Sequence, residues 1–280
     1  MTGLGLKPTG VGRTALGAAM IRAMESRRRN ALFHDPYAAA FVAAAPEVFD
    51  RANRGAAAVV GGVCSAGAAF WSRAVIRTRF FDDFLLEATG RGIEQVVILA
   101  AGLDTRPYRL AWPPGRRVFE LDLPEVLAFK RRVLDRHHAV VRCDNRLVGV
   151  DLRADWATPL IAAGHRPDRS TAWLLEGLLI YLSGAEAVHL FTTVDGLSAA
   201  GSRAAFEFEE NDARTLREQG HRLPAVAEYA ALWQGGEPEA PGWLARQGWR
   251  LQQHDSLDVC ARYGRPAGSS PGGFITATRP

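Results

Sequence analysis

Apolar and amphipathic segments alternate along the chain from residue 95 onward. Continuous apolar runs predict strands at residues 95–100, 117–121, about 146–150, 171–176 and 203–208. Segments with helical spacing of apolar residues lie between them, near 124–136, 155–163 and 184–199. Strands that are apolar on both faces and alternate with helices are typical of a parallel sheet covered by helices on both sides. The pattern therefore predicts an α/β fold with a central, mostly parallel sheet.

Two further strand-like runs follow near the C-terminus, at about 249–254 and at 273–278. The second run begins beside Gly272 and has the composition of a strand, Gly-Phe-Ile-Thr-Ala-Thr. We expect this last run to be an antiparallel strand at the C-terminal edge of the sheet.

Helices are predicted before the first strand. An amphipathic helix is expected over 14–28, with apolar residues on one face (Leu16, Met20, Ala23 and Met24). Asp35 and Pro36 have the order of an N-cap and a first-turn proline, and a long helix is expected over about 68–89. We therefore divide the chain into an N-terminal helical cap (1–67), a core (68–210) and C-terminal lid helices with closing strands (211–280), which form one integrated domain.

Composition and charge exclude several classes of protein. Hydrophobic residues make up 48% and charged residues 23% of the 280 residues, and the net charge is +4. So small a charge, with the basic residues scattered, gives no reason to expect a nucleic acid or an anionic membrane as partner. Two basic runs, 27–29 and 130–132, are expected late in helices, where cations complement the helix dipole.

Cysteine usage and the start of the chain bear on location. Three cysteines without paired spacing predict reduced thiols, with no disulfide framework and no metal site. The first residues lack the apolar core of a signal peptide, and no apolar run has membrane-spanning length. We expect a cytoplasmic protein with no membrane partner.

The most informative segment joins the first strand to a small-residue turn. Val96 to Leu99 is followed by Ala100-Ala101-Gly102, and the next strand ends at Asp122. A carboxylate at the end of that strand is suited to the two hydroxyls of a ribose. The three glycines of a nicotinamide-binding turn are absent, and Asp104 would repel a pyrophosphate. These residues point to S-adenosylmethionine, a nucleoside cofactor with a cationic amino-acid end and no phosphate.

Five ordered blocks carry a resemblance to a known family. They contain the motifs RTRFFDD at 77–83, GLDTRPYR at 102–109, ELDLP at 120–124, DLR at 151–153 and LEGLLIYL at 175–182. In order and spacing they resemble the leucine carboxyl methyltransferase-like family, over roughly residues 14–279. The likeness is strongest to its bacterial branch of S-adenosylmethionine-dependent methyltransferases, which includes enzymes of aromatic polyketide tailoring. The resemblance implies a Rossmann-like class I methyltransferase fold.

The resemblance also implies residue roles. The matching positions imply that Arg77 contacts the cofactor carboxylate and that Glu176 lies near its ammonium group. Ala100 to Gly102 would lie under the methionine part, and Asp122 would bind the ribose. The adenine would be held by Asp151 and Leu152. Ala100 departs from the family, which usually has glycine there.

Other interpretations of these residues stay open. Arg77 has Asp82 and Asp83 as alternative partners on its own helix, and Asp151 is an alternative cap for a helix near Asp155. Tyr181 is a candidate for the methyl-acceptor pocket, although core packing is the commoner role of such an aromatic residue. Among the histidines, His254 beside Asp255 is a candidate acid–base pair, with a surface strand end as the favoured alternative.

These observations predict an S-adenosylmethionine-dependent O-methyltransferase that acts on a carboxylate or hydroxyl group of a small aromatic or acidic metabolite. Aromatic and apolar residues of the cap and tail are expected to form a lid; they are Met20, Met24, Phe33, Tyr37, Phe41, Tyr229, Trp233, Trp243 and Trp249. A nicotinamide-dependent oxidoreductase and a non-catalytic cofactor-binding regulator are the alternatives. The oligomeric state, monomer or homodimer, is left open.

Overall fold

The computed structural model describes residues 12–46, 65–208, 218, 232–234, 240–266 and 272–280. Within these ranges one mixed sheet of seven strands forms the centre of the molecule. The strands are β1 (Gln95–Leu99), β2 (Arg117–Asp122), β3 (Asp144–Gly149), β4 (Thr171–Leu175), β5 (Arg203–Phe208), β6 (Arg250–Asp255) and β7 (Gly273–Thr278). The spatial order is β3-β2-β1-β4-β5-β7-β6, and the predicted α/β fold is confirmed.

Helices precede, separate and follow the strands. They are α1 (Gly12–Glu25), α2 (Ala38–Ala43), α3 (Ser65–Gly90), α4 (Arg106–Arg109), α5 (Pro124–Arg136), α6 (Ala157–Ala162), α7 (Gly184–Gly196), α8 (Ala240–Arg246) and α9 (Ser256–Arg262). No helix in the described part of the chain is both long and apolar enough to cross a membrane.

The first five strands are all parallel, so their carboxyl ends meet at one edge of the sheet. β7 is antiparallel to β5, as the sequence predicts, and pairs from Arg203 with Thr278 to Phe208 with Gly273. The prediction that β7 lies at the edge is wrong, because β6 pairs with its other side and is itself the edge strand. The two sequences fit this order, because β6, Arg-Leu-Gln-Gln-His-Asp, is polar and mostly exposed, whereas β7, Gly-Phe-Ile-Thr-Ala-Thr, is mostly buried.

Two hydrophobic cores lie on opposite faces of the sheet. On one face, Phe119, Trp173 and Phe206 pack against α6, α7 and α8. On the other, Val96 and Ala205 pack against α3 and α9. β1 and β4 are buried along their whole length, which explains their uninterrupted apolar sequences.

The N-terminal cap packs on the outside of α5. Leu16, Phe41, Leu103 and Phe129 form its shared core. The N-cap of α2 is Tyr37, two residues after the predicted Asp35, although Asp35 Oδ1 accepts hydrogen bonds from the backbone N–H groups of residues 37 and 38. The prediction that Met24 shares the apolar face of α1 is wrong, because Met24 is 47% exposed, whereas Leu16 and Ala23 are buried.

Two tryptophans of the predicted tail lid belong to the core. Trp243 packs against Phe191 of α7, and the indole N–H of Trp249 donates to Asp195 Oδ1 at 2.8 Å. Trp249 precedes β6, which runs parallel to β5, and so lies at the amino ends of the parallel strands. These two residues are therefore part of the helix layer. Tyr229 lies outside the described residues, and the division into three segments stays a prediction.

Candidate functional site

The turn after β1 adopts an unusual backbone conformation. Ala100 has φ +53° and Gly102 has φ +50°, both in the left-handed region. This region favours glycine because a Cβ crowds the backbone there, which gives a physical reason for the glycine that the family usually has at position 100. A Cβ added at Gly102 would lie 3.1 Å from the Cβ of Ala15 in α1. The N-terminal cap therefore lies directly against the turn.

Asp122 is joined to this turn. Its Oδ2 accepts a 2.6 Å hydrogen bond from the Gly102 N–H, and its Oδ1 accepts from the Leu123 N–H at 2.7 Å. Burial raises the pKa of Asp122, and the two backbone N–H groups oppose that effect. The parallel pairing of β1 with β2 brings the two strand ends together, as the sequence predicts. Each carboxylate oxygen keeps lone-pair capacity for a ribose hydroxyl.

Asp151 and Leu152 follow β3 and lie beside Asp122. The link is the Val150 N–H, which donates to the Asp122 carbonyl oxygen at 2.9 Å. Asp151 forms a surface ion pair with Arg153 at 2.6 Å, and Leu152 is buried. The alternative of Asp151 as a helix cap is wrong, since the residue that accepts from a first-turn N–H of α6 is Asp155. The adenine role of this pair stays a prediction.

Arg77 and Glu176 are in contact. Arg77 Nε donates to Glu176 Oε1 at 3.0 Å, and Arg77 Nη1 donates to Glu207 Oε1, also at 3.0 Å. Burial lowers the pKa of Arg77, but the carboxylates of Glu207 and Glu176 outweigh it and raise the pKa above its usual value. The alternative partners for Arg77 are wrong: Asp82 pairs with two other arginines and Asp83 with Arg79.

A buried charge network extends from this pair. Arg106, 3% exposed at its side chain, contacts Glu176 at 2.7 Å, Asp82 at 2.7 Å and also Asp104. Burial raises the pKa of Asp104, but Arg106 and Lys130 outweigh it and lower that pKa to about 2. The argument from Asp104 against a pyrophosphate is therefore weakened, because the Asp104 carboxylate is buried and paired with Arg106.

Sequence reasoning missed Glu207 and Arg106 as members of this site. Glu207 lies in an apolar strand, and its partner Arg77 is 130 residues away along the chain. The available signal was the density of charge in the RTRFFDD and GLDTRPYR motifs, which is too high for two helices with buried faces.

Tyr181 lies in a short 3-10 turn, Leu179–Tyr181, just beyond the end of β4. Gln234 holds this turn from the tail, because its backbone N–H donates to the Ile180 carbonyl at 2.8 Å and its side chain to the Tyr181 carbonyl at 3.1 Å. Trp233, half-buried, is thereby brought to the segment of Tyr181. The pocket role of Tyr181 stays a prediction.

His254 and Asp255 do not act as a pair. The Nε2 atom of His254 lies 3.0 Å from Thr276 Oγ1, and the Asp255 carboxylate caps α9 by accepting from the Leu257 N–H at 2.7 Å. The favoured alternative, a strand end with a structural role, fits these contacts better than an acid–base pair.

The donor set of this edge matches the chemistry of S-adenosylmethionine. A guanidinium and a carboxylate side by side complement an amino-acid zwitterion, and a carboxylate at the end of β2 complements a ribose. Glu176 is ion-paired through both carboxylate oxygens, Oε1 with Arg77 at 3.0 Å and Oε2 with Arg106 at 2.7 Å, and the lone pairs that remain on them are what it can offer to an ammonium group.

The fold and this edge define a Rossmann-like, S-adenosylmethionine-dependent methyltransferase. The chain belongs to the leucine carboxyl methyltransferase family, whose model matches residues 15–195. This membership confirms the resemblance and the cofactor, and it decides against both the nicotinamide-dependent and the non-catalytic alternatives.

Known relatives agree with this assignment. A protein of Frankia alni named "Putative S-adenosyl-L-methionine-dependent methyltransferase" is 48% identical over 97% of this chain and 95% of its own length. A Streptomyces coelicolor protein of the same description is 40% identical over 98% and 97%. Among solved structures, a "putative methyltransferase" of Thermobifida fusca shares the fold with TM-score 0.52 and 19% identity, covering 75% of this chain and 83% of that one.

Proposed function

We propose that the protein transfers the methyl group of S-adenosylmethionine to an oxygen atom of a small aromatic acid, forming a methyl ester. The cofactor supplies a methyl group on a positively charged sulfur, which leaves as a neutral thioether. The acceptor oxygen forms the new bond to carbon, and the electron pair of the broken bond remains on sulfur. The wider class of acceptor is a secondary metabolite of aromatic polyketide type.

The state of the carboxylates at the strand ends carries this proposal. Arg106 and Arg77 outweigh the effect of burial and lower the pKa of Glu176, while Asp104 has a pKa of about 2. Carboxylates whose pKa is lowered are weaker bases at neutral pH than ordinary ones. Burial raises the pKa of Asp122, but its oxygens accept from two backbone N–H groups and, in this proposal, bind the ribose. These carboxylates suit binding and orientation, and they favour an acceptor that is already ionised. A carboxylic acid is ionised at neutral pH, whereas a phenol must first lose a proton.

Arg77 binds and orients in this proposal. Its Nε atom donates to Glu176 and its Nη1 atom donates to Glu207. Nη2 takes part in neither of these two contacts, and the two contacts fix the direction in which it points. With the cofactor's two ends fixed at Arg77 and Asp122, the methyl group has a defined direction. Alignment of reacting atoms at about 3 Å supplies roughly 7–11 kcal/mol of rate acceleration in favourable cases.

The surroundings of Tyr181 support an aromatic acceptor. The tail contact through Gln234 brings Trp233 beside the 3-10 turn, so two half-buried aromatic residues flank the end of β4. Flat aromatic side chains bind a flat ring by stacking and edge contacts. The cap packs against Gly102, which is buried, and a cap that keeps water from this edge would weaken the hydration shell of an anionic nucleophile.

The test is a product assay with matched acceptors. Purified enzyme with methyl-labelled S-adenosylmethionine is offered aromatic carboxylic acids, the corresponding phenols and the corresponding amines. We expect label in products from the acids, and mild alkali should release it as methanol because esters hydrolyse. Alkali-stable label from the phenols, or label on the amines, would overturn the carboxylate assignment. An Arg77→Ala variant should lose turnover at ordinary cofactor concentrations.

A further inference from the structure

Glu207 of β5 is placed to organise the amino-acid end of the cofactor site. Both of its carboxylate oxygens are engaged: Oε1 accepts from Arg77 Nη1 at 3.0 Å, and Oε2 accepts from the Gly177 N–H at 2.5 Å. Its side chain is only 15% exposed. One side chain therefore joins three elements, which are α3, the turn after β4 and β5 itself.

The turn that Glu207 holds is the one that carries Glu176. Gly177 has φ +65°, a conformation that favours glycine, and a Cβ there would lie 3.6 Å from Arg77 Nη1. The guanidinium thus lies against the backbone of the turn. The N–H bond to Glu207 Oε2 fixes the peptide that follows Glu176, and so fixes the direction in which the Glu176 side chain leaves the strand.

Glu207 also sets the orientation of the guanidinium. An arginine held by one carboxylate alone can rotate about its terminal bonds, whereas contacts on Nε and Nη1 from two different elements fix its plane. The carboxylate of Glu176 contacts this arginine from the turn after β4, and that of Glu207 contacts it from β5. Nη2 then points in one direction, as binding a carboxylate group requires.

We propose that Glu207 is a positioning residue for the α-amino-acid group of S-adenosylmethionine, acting through Arg77 and the Gly177 turn. This inference rests on the proposed roles of Arg77 and Glu176. Glu207 touches neither reactant in the proposal, and its effect is confined to the amino-acid end. The ribose and adenine contacts, which lie across β1 at β2 and β3, are independent of it.

Two ligands that differ at the amino-acid end provide the test. S-adenosylhomocysteine contains this group, and 5′-methylthioadenosine retains the nucleoside and sulfur but lacks it. We expect Glu207→Gln to weaken S-adenosylhomocysteine binding about tenfold, equivalent to about 1.4 kcal/mol. The affinity of the Glu207→Gln variant for 5′-methylthioadenosine should stay within about twofold of the wild-type value. The single oxygen of Gln replaces one of the two carboxylate acceptors, and unchanged binding of 5′-methylthioadenosine shows that the fold is retained.

Controls separate the possible failures. Asp168→Asn alters an exposed carboxylate that pairs with Arg166 at 3.0 Å, and it should change neither affinity. Equal weakening of both ligands by Glu207→Gln, or no weakening of either, would overturn the positioning role. If Arg77→Ala leaves S-adenosylhomocysteine binding unchanged, the proposed site itself is wrong. If Arg77→Ala weakens it selectively and Glu207→Gln does not, only the inference about Glu207 fails.

Discussion

The Gly102 N–H donates a 2.6 Å hydrogen bond to Asp122 Oδ2, so the turn after β1 and the end of β2 form one unit. The bond crosses 20 positions of sequence and connects the two features that first indicate a nucleoside cofactor. Asp122 thus supports the turn, and the ribose role predicted for it depends on the lone pairs that these backbone hydrogen bonds leave.

Replacing Asp122 tests the ribose assignment. Asp122→Ala should weaken S-adenosylhomocysteine binding about 100-fold, because charge-assisted hydrogen bonds contribute roughly 1.5–3 kcal/mol each. Titration calorimetry measures the affinity, and circular dichroism checks that the fold is intact. Asp144→Ala is the matched control. Asp144 pairs with Arg117 at 2.8 Å at the start of β3, and so lies at the amino ends of the parallel strands, away from the candidate site. Unchanged affinity in Asp122→Ala would remove the ribose role.

The strand-end part of the site was predictable because parallel strands bring their carboxyl ends together. Ala100 and Gly102 follow β1, and Asp122 ends β2, the next strand along the chain. The rule for open sheets places these strand ends side by side. The role of Glu207 was not predictable, since it depends on a contact with Arg77, which lies in a helix 130 residues away along the chain. The edge strand was predictable from composition, because the run that forms β6 is polar and the run that forms β7 is apolar; β7 pairs with β5 on one side and with β6 on the other.

The alanine at position 100 is predicted to cost stability. Ala100 has φ +53°, and a left-handed conformation costs an L-residue roughly 1–2 kcal/mol. Ala100→Gly should therefore raise the free energy of unfolding by about 1 kcal/mol, after allowance for the greater entropy of glycine in the unfolded chain. Urea denaturation measures the change. Ala101→Gly, one residue on and outside the left-handed region, should lower stability; a loss in both variants would contradict the strain at Ala100.

Asp35 joins the N-terminal cap to the segment that follows the turn after β1. Its Oδ2 accepts from Thr105 Oγ1 at 2.7 Å and from Arg22 Nε at 2.8 Å, and Arg22 also donates to the Leu103 carbonyl at 2.7 Å. Thr105→Val keeps the shape and removes one donor, at a cost of about 1–2 kcal/mol. Hydrogen exchange should show faster exchange in α1 and α2 and no change in β1 and β4. Thr192→Val, on the exposed face of α7, is the control, and uniform loss of protection would argue against a local fastening.

Lys130 is corrected from a helix-end cation to a core residue. The run 130–132 lies in α5, and Lys130 forms a fully buried ion pair with Glu120, which also accepts from Asn145 Nδ2 at 2.8 Å. Lys130→Met should lower stability by about 3–5 kcal/mol, because it leaves a carboxylate buried without its cation. Adding Glu120→Gln should restore much of that loss. Thermal and urea unfolding measure both, with the exposed neighbour Arg131→Met expected to stay within about 0.5 kcal/mol of wild type.

A buried histidine should make stability depend on pH. His165 is 2% exposed, lies between Phe119 and Trp173, and its Nε2 atom is 3.0 Å from Thr171 Oγ1. Burial lowers its pKa from 6.5 to about 4. Between these two values the unfolded chain binds a proton that the folded chain does not, so stability falls as the pH falls. The contribution is complete above about pH 6.5 and is lost towards pH 4, at a cost of up to about 3 kcal/mol.

Substitution isolates this contribution from that of the carboxylates, which also titrate in acid. His165→Gln retains a hydrogen-bonding group beside Thr171 and has no charge to gain. Its free energy of unfolding, measured by urea denaturation from pH 7.5 to 4.5, should fall less steeply than that of the wild type. His189→Gln, on the exposed face of α7, should follow the wild-type curve. Parallel curves for the wild type and His165→Gln would mean that the folded protein protonates His165 as readily as the unfolded chain does.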